Sequence, residues 1–329
     1  MMLNAYCLDW HLSNSGAFGD LLVEPLKQSA DIKLTAWDGE KLPAATSREK
    51  TVIFCMLPPG EKFLKEYKGK IVWLPMWDQA QGYDQAWWNR LPKNVHIVSF
   101  SEQVCAKANA AGLPLLQLKY YKDPATFKPV SWQAGRVIFY WNRTGLIGPK
   151  FLEQLCRSLQ AKKLIFRGQI DPRIDKNVSY KLPDKFGETI IESVSMSSQE
   201  VYIKKLDEAN IFIAPRKNEG VGMTFIEALA KGCCVISYDA PTMNEYIHSG
   251  GNGILLRNHY PSFIENLMGK RPTDTTSGTA FHLSDTQPWE KIAGYDFESL
   301  GSNARQDAEA GFKTWQTKID DYANFMLGR

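Results

Sequence analysis

Glu219-Gly220-Val221-Gly222-Met223-Thr224-Phe225-Ile226-Glu227 sets two carboxylates with seven residues between them and glycines inside the interval. The apolar run Ala209-Asn210-Ile211-Phe212-Ile213-Ala214-Pro215 leads into it, and Ala228-Leu229-Ala230-Lys231-Gly232-Cys233-Cys234-Val235-Ile236-Ser237 follows. The stretch therefore reads as strand, glycine loop, helix, strand. A glycine loop opening a helix suits a phosphate, because free backbone N–H groups and the positive end of the helix dipole face the anion. A carboxylate one turn into such a helix can accept hydrogen bonds from a sugar's vicinal hydroxyls. A structural alternative stands beside this: Thr224 to Glu227 also fits a capping box, with Glu227 satisfying a backbone N–H and Glu219 an exposed loop acid.

Outward from this stretch, short β-rich runs alternate with amphipathic segments along the whole chain. Leu3 to Trp10, Ile32 to Trp37, Thr51 to Leu57, Ile71 to Pro75 and Val95 to Phe100 read as strands, with helices such as Leu21 to Ala30 and Glu102 to Ala111 between them. A second series begins at Val137 and runs through Leu164 to Phe166, Thr189 to Ser193, Ile211 to Pro215, Cys234 to Ser237 and Ile254 to Leu256. The pattern predicts an α/β protein of two doubly wound parallel sheets. The joint falls between Lys119 and Gly135, where Lys122-Asp123-Pro124 and Lys128-Pro129 interrupt any helix or strand. In open sheets ligands bind outside the carboxyl ends of the strands, so two such domains facing each other are expected to form a cleft. The polar stretch Lys270 to Gly278 reads as a mobile surface loop.

Arg136-Val137-Ile138-Phe139-Tyr140-Trp141-Asn142-Arg143 is a strand ending in a cation, and Lys150 opens the amphipathic helix that follows, after Thr144 to Pro149. With the acid pair, this resembles the E-x7-E signature of retaining, family-four-type (group 1) glycosyltransferases of the GT-B fold. Ala240 to Ile247, Gly250 to Leu256, Leu300 to Arg305 and Phe312 to Trp315 resemble later segments of the same family in matching order, so the likeness covers about the last two thirds of the chain. The resemblance implies two Rossmann-like domains: residues 1–128 for the acceptor, 129–305 for the nucleotide-sugar donor, and a C-terminal helical segment, 306–329, crossing back to the first domain. It implies that Glu219 contacts donor-sugar hydroxyls, that Glu227 binds the ribose, and that Arg143 and Lys150 hold the diphosphate. Gly220, Val221, Gly222, Met223 and Thr224 would supply the phosphate loop. A guanidinium offers a planar fork to phosphate oxygens and an ammonium a compact charge.

The first domain is less readable. After its first strand, His11-Leu12-Ser13-Asn14-Ser15-Gly16-Ala17-Phe18-Gly19-Asp20 reads as a loop into a helix, and Gly16 and Gly19 are the candidates for the family's donor-facing glycine loop, although the usual double glycine is missing and an ordinary strand-to-helix turn is the alternative. Where relatives carry a His after a later strand this chain has Pro75-Met76-Trp77-Asp78, leaving Asp78 and His11 as acceptor-side candidates. Asp78 equally suits a helix cap, and a lone His is equally a packing residue. Glu61 to Lys70 and Trp87 to Lys93 mix bases with aromatics, which suits either a solvated helix face with a packed Trp pair or a peripheral contact with an anionic membrane.

Composition narrows the class. The chain of 329 residues is 44% apolar and 23% charged, and no apolar run approaches the roughly 20 residues of a membrane span. The first residues lack the features of a secretory signal, so a cytoplasmic protein is expected. Six scattered cysteines show no metal spacing and read as buried thiols. A net charge of +3 with interspersed signs gives no nucleic-acid channel. No Asp-x-Asp is present, so neither metal nor other cofactor is expected, and no G-x-G-x-x-G follows either first strand, which argues against a dehydrogenase. The reading is a retaining glycosyltransferase that moves a sugar from a nucleotide-diphosphate sugar to an acceptor hydroxyl, on a carbohydrate or lipid-linked glycan. By association its setting is bacterial surface glycan assembly, lipopolysaccharide or capsule. The alternatives are a nucleotide-sugar epimerase of similar fold and a non-catalytic nucleotide-sugar-binding module.

Overall fold

A computed structural model describes residues 2–14, 16–39, 50–143, 147–168, 180–195, 198–214, 216, 218–257, 281–282 and 292–329. The chain divides into two units, the first made of Met1–Tyr120, Glu219–Val221 and Gly311–Arg329, the second of Tyr121–Asn218 and Gly222–Ala310.

The first unit holds the strands β1 (Met2–Cys7), β2 (Asp31–Ala36), β3 (Thr51–Cys55), β4 (Lys70–Leu74), β5 (Val95–Ser99) and β6 (Leu115–Gln117). They form one parallel sheet in the order β2-β1-β3-β4-β5-β6. Burial on both faces explains why its inner strands are continuous apolar runs instead of alternating ones. Trp73 and Trp88 are both buried and stack at 5.2 Å between ring centroids, inside a core that also takes in Phe54, Ile71, Ile97 and Val104. The helices are α1 (Asp9–Asn14), α2 (Glu24–Leu26), α3 (Glu61–Glu66), α4 (Trp77–Ala80), α5 (Gln85–Asn89) and α6 (Glu102–Ala110).

One expectation fails here and a second is refined. The first strand stops at Cys7, and the segment read as the end of a strand and a loop is the helix α1, with Asp9 in its first turn where a carboxylate suits the dipole. The helical stretch expected over Leu21 to Ala30 is present but starts earlier, is wound as a π-helix over Gly19–Val23 and ends with the short α2 at Leu26. Pro25 has no N–H to give to the preceding turn, and the Glu24 N–H reaches back to the Gly19 carbonyl.

In the second unit the strands are β7 (Val137–Trp141), β8 (Lys163–Arg167), β9 (Lys185–Phe186), β10 (Thr189–Ser193), β11 (Ile211–Ile213), β12 (Cys234–Tyr238), β13 (Gly253–Arg257) and β14 (Phe281–His282). The sheet order is β14-β13-β12-β11-β7-β8-β10-β9, parallel throughout except for the β9–β10 pair. Its helices are α7 (Pro149–Ser158), α8 (Gln199–Leu206), α9 (Met223–Lys231) and α10 (Phe297–Thr317), the last of which runs on into residues of the first unit and is followed by α11 (Ile319–Leu327). Within the first unit the Tyr322 hydroxyl donates to the Leu21 carbonyl at 3.1 Å. All six cysteines are free and buried, as expected. Burial pushes the Cys7 thiol up to about 11, with the nearby Asp9 charge adding to the shift. The stretch Lys270 to Gly278 lies outside the described residues.

Candidate functional site

Strand order alone points to a place in the second unit. β7 comes first in the chain and lies between β8, the next strand, and β11, which is reached only after β10, so the winding direction reverses between β7 and β11. Ligands of open α/β sheets bind at the carboxyl edge of that reversal, where the two loops diverge and leave a crevice. The loop after β7 carries Arg143, and α7 begins with Pro149 and Lys150, which is exposed. Pro149 at the first helical position sacrifices only an N–H that a helix start leaves unused. The loop after β11 carries Glu219 to Gly222 and opens α9. Sequence reasoning selected these same two loops. Thr144, Gly145 and Leu146 lie outside the described residues.

Two glycines in the second loop have separate causes. Gly222 is the N-cap of α9 at φ +83°, a left-handed conformation, and a Cβ there would stand 1.9 Å from Phe225 Cε1. Gly220 belongs to the first unit, where a Cβ would stand 2.9 Å from Met76 Cβ and 3.0 Å from Asp78 Oδ1. Glu219 and Val221, in the same unit, are buried.

Because α9 starts at Met223, Thr224 is not its N-cap and Glu227 is the fifth helical residue. The capping-box alternative for Glu227 therefore fails, since that motif needs the acid at the third position. Phe225 and Ile226 both donate their N–H to the Gly222 carbonyl, at 3.1 and 3.2 Å, so the amides of Met223 and Thr224 form the open first turn. Glu227 is buried, 7% exposed, although nothing about helix structure requires an acid there. The far end of α9 is fixed by buried Lys231, which pairs with Asp207 and donates to the Lys128 carbonyl.

Glu227 and Arg143 act on one common neighbour. Burial first, and then the negative charge of Glu227, hold the Tyr202 phenol of α8 well above its ordinary pKa, while Arg143 pulls in the opposite direction. The acid and the cation therefore share one electrostatic neighbourhood within the second unit. Sequence reasoning missed Tyr202, which looks like an ordinary apolar position of an amphipathic helix. It also missed Arg167, at the carboxyl end of β8, although a cation closing an apolar run was the signal that singled out Arg143. The Arg167 Cζ lies 3.8 Å from the centroid of the Trp141 ring, and the Arg143 Cζ 4.9 Å from the same centroid.

In the first unit the reversal lies between β1 and β3. His11 sits in α1 just past the carboxyl end of β1, half-buried with its ring edge-on to Phe18 at 5.3 Å. Asp78 follows the carboxyl end of β4, in the first turn of α4, and Met76, not Asp78, is that helix's N-cap, so its alternative role as a cap does not hold. Gly16 adopts φ +56° with open space where a Cβ would stand. Gly16 and His11 are thus on the same edge as Asp78 and the Glu219 segment. The two basic and aromatic stretches also come together: Lys65, Lys68 and Arg90 ring a cavity of about 430 Å³ that Leu64, Tyr67, Trp87 and Leu91 help to line. It opens beside the segments that enter β4 and β5, at the amino edge of the sheet. Among the described residues no helix is long and apolar enough to cross a membrane.

Residues 189–268 match the family described as glycosyl transferases group 1. No curated protein sequence matches the chain. Among solved structures, sucrose-phosphate synthase from Thermosynechococcus elongatus superposes with a TM-score of 0.64 at 12% identity, over 100% of this chain and 99% of the other. HepE from Anabaena in complex with UDP gives 0.60 at 11% identity over 98% and 99%. The lipopolysaccharide outer core galactosyltransferase WaaB gives 0.56 at 12% identity over 99% of each. With two parallel-sheet α/β units in hand, the fold is GT-B.

Proposed function

We propose, from a chain that belongs with the group 1 glycosyltransferases and has their GT-B fold, that it moves a sugar from a nucleotide-diphosphate donor to an acceptor hydroxyl with retention at the anomeric carbon. The observation that carries the reading is the pairing of Arg143 and Lys150 after β7 with the open first turn of α9 after β11, on either side of the strand-order reversal.

In this reading the donor diphosphate lies against Arg143, Lys150 and the amides of Met223 and Thr224, and the Glu227 carboxylate accepts hydrogen bonds from the ribose. Glu219 holds donor-sugar hydroxyls. As the bond from the anomeric carbon to the diphosphate oxygen breaks, its electron pair stays on that oxygen, and the surrounding cations and dipoles stabilise the growing charge. The acceptor oxygen attacks from the same face, and its proton passes to the departing diphosphate, so no carboxylate nucleophile is needed. Asp78, with His11 as the second candidate, orients the acceptor hydroxyl. No cofactor and no metal enters this scheme. UDP is the first nucleotide to try, because the structurally similar HepE is solved with it.

The stereochemistry is tested directly. An α-linked donor should give an α-linked product, read from proton NMR coupling constants, and activity should persist in EDTA. A β-linked product overturns retention, and activity lost in EDTA and restored by Mg²⁺ or Mn²⁺ overturns metal independence. A free epimeric nucleotide sugar formed without acceptor would favour the epimerase reading, and binding without turnover the binding module.

The setting in this reading is lipopolysaccharide or capsule assembly, with the enzyme in the cytoplasm at the inner membrane face; the likeness to WaaB, a lipopolysaccharide outer core galactosyltransferase, suits the first of these. The basic rim of Lys65, Lys68 and Arg90 supports a peripheral contact there. Changing those three residues to Gln together should reduce co-sedimentation with vesicles containing anionic phospholipid several-fold, an effect that salt should mimic. Equal sedimentation of mutant and wild type would remove the patch from membrane binding.

A further inference from the structure

We propose that Arg167 is a second phosphate-binding guanidinium of the donor site, held in position by Trp141 beside Arg143, and that the two arginines together take the diphosphate. The inference rests on the donor site described above and adds to it a residue from a third strand end.

Backbone geometry brings the parts together. β7 and β8 pair in parallel with Trp141 opposite Arg167, and the Asn142 N–H donates to the Arg167 carbonyl at 2.8 Å, so the carboxyl ends of the two strands are locked in register. The Arg143 N–H in turn donates to the Trp141 carbonyl at 2.8 Å. The indole at the end of β7 thus has a guanidinium from each adjoining segment against it, at 3.8 and 4.9 Å from its centroid. The two Cζ atoms can therefore be no further apart than those two distances laid end to end.

Chemistry explains why both are arginine. A guanidinium can offer its flat face to an indole while its in-plane N–H groups keep the fork geometry that suits phosphate oxygens. A lysine cannot use a face for one partner and an edge for another. The same stacking removes side-chain freedom before the ligand arrives, which lowers the cost of ordering on binding. Two like charges gathered on one ring at the carboxyl edge of a parallel sheet, next to the strand-order reversal, form a site for an anion carrying more than one charge.

Two other roles make different predictions. If Arg167 only covers the Trp141 ring, its charge and its fork are irrelevant to ligands. If it contacts the nucleobase, it acts on nucleosides as much as on phosphates.

The experiment compares wild type with Arg167→Gln, Arg167→Lys and Arg143→Ala, each confirmed as folded by circular dichroism, in calorimetric titrations with inorganic pyrophosphate, UDP and uridine. Arg167→Gln should weaken pyrophosphate and UDP about tenfold, leave uridine unchanged and flatten the salt dependence of pyrophosphate binding. Arg167→Lys should recover part of the pyrophosphate affinity but not all. Wild-type pyrophosphate affinity in Arg167→Gln, with the loss confined to Arg143→Ala, would overturn the inference and leave the donor site standing. An equal loss for uridine and UDP with pyrophosphate unaffected would reassign Arg167 to the base. Should wild type bind neither pyrophosphate nor any of UDP, GDP and ADP, the donor site itself falls, and this inference with it.

Discussion

Arg143→Ala and Lys150→Ala should each lower turnover by about 10²–10³, the loss seen when one group stabilising developing charge is removed from an active site. The donor's Michaelis constant should rise much less. Charge on the diphosphate oxygen grows only as the glycosidic bond breaks, so an interaction with that charge is stronger in the transition state than in the bound donor. The two residues reach the phosphate differently. Arg143 extends the strand end and lies against Trp141, which limits its freedom, whereas Lys150 is an exposed side chain on the first turn of α7. Arg143→Lys should therefore recover less activity than Lys150→Arg, because the stack needs a planar group. If both serve one phosphate, the double substitution should cost less than the product of the single effects. Steady-state kinetics with a nucleotide-sugar donor decides, and wild-type turnover in either single mutant would remove that residue from the mechanism.

What was legible in the sequence follows the physics of parallel sheets. Strands buried on both faces, such as Val52 to Cys55 and Ile211 to Ile213, appear as unbroken apolar runs, and the loops at their carboxyl ends are marked by the abrupt change to Arg143 or to Glu219 and Gly220. The candidate loops stand out because backbone requirements restrict them to few residue types: Gly222 needs a positive φ and Pro149 suits a first helical position. Helix starts were harder to place. α1 begins two residues after β1, and nothing in Leu8-Asp9-Trp10 separates a strand end from a first turn by periodicity. Three-residue β6 and two-residue β9 are too short to show a period at all. Residues that become candidates only through a neighbour in space stayed hidden. Tyr202 lies at an unremarkable helix position until α8 packs it near Glu227, and Arg167 enters consideration only once β7 and β8 pair in register.

Glu227→Ala should raise the dissociation constant for the nucleotide by about 10- to 100-fold, which is what losing a charged hydrogen bond of roughly 1.5 to 3 kcal/mol implies. The fold should survive it. A capping acid would cost about 1 kcal/mol of stability on removal, but Glu227 is the fifth residue of α9 and the helix begins at Gly222 without any side-chain cap. Alanine is the best helix former, which offsets part of what is lost with the contact to the buried Tyr202 phenol. The melting temperature of the free protein should therefore fall only modestly. Glu227→Gln separates charge from shape: it keeps an acceptor oxygen beside Tyr202 and should lie between wild type and alanine in affinity. Calorimetric titration with the nucleotide, paired with thermal melts without it, reads both quantities. An unchanged dissociation constant with a lowered melting temperature would make Glu227 a structural acid and take the ribose contact out of the site.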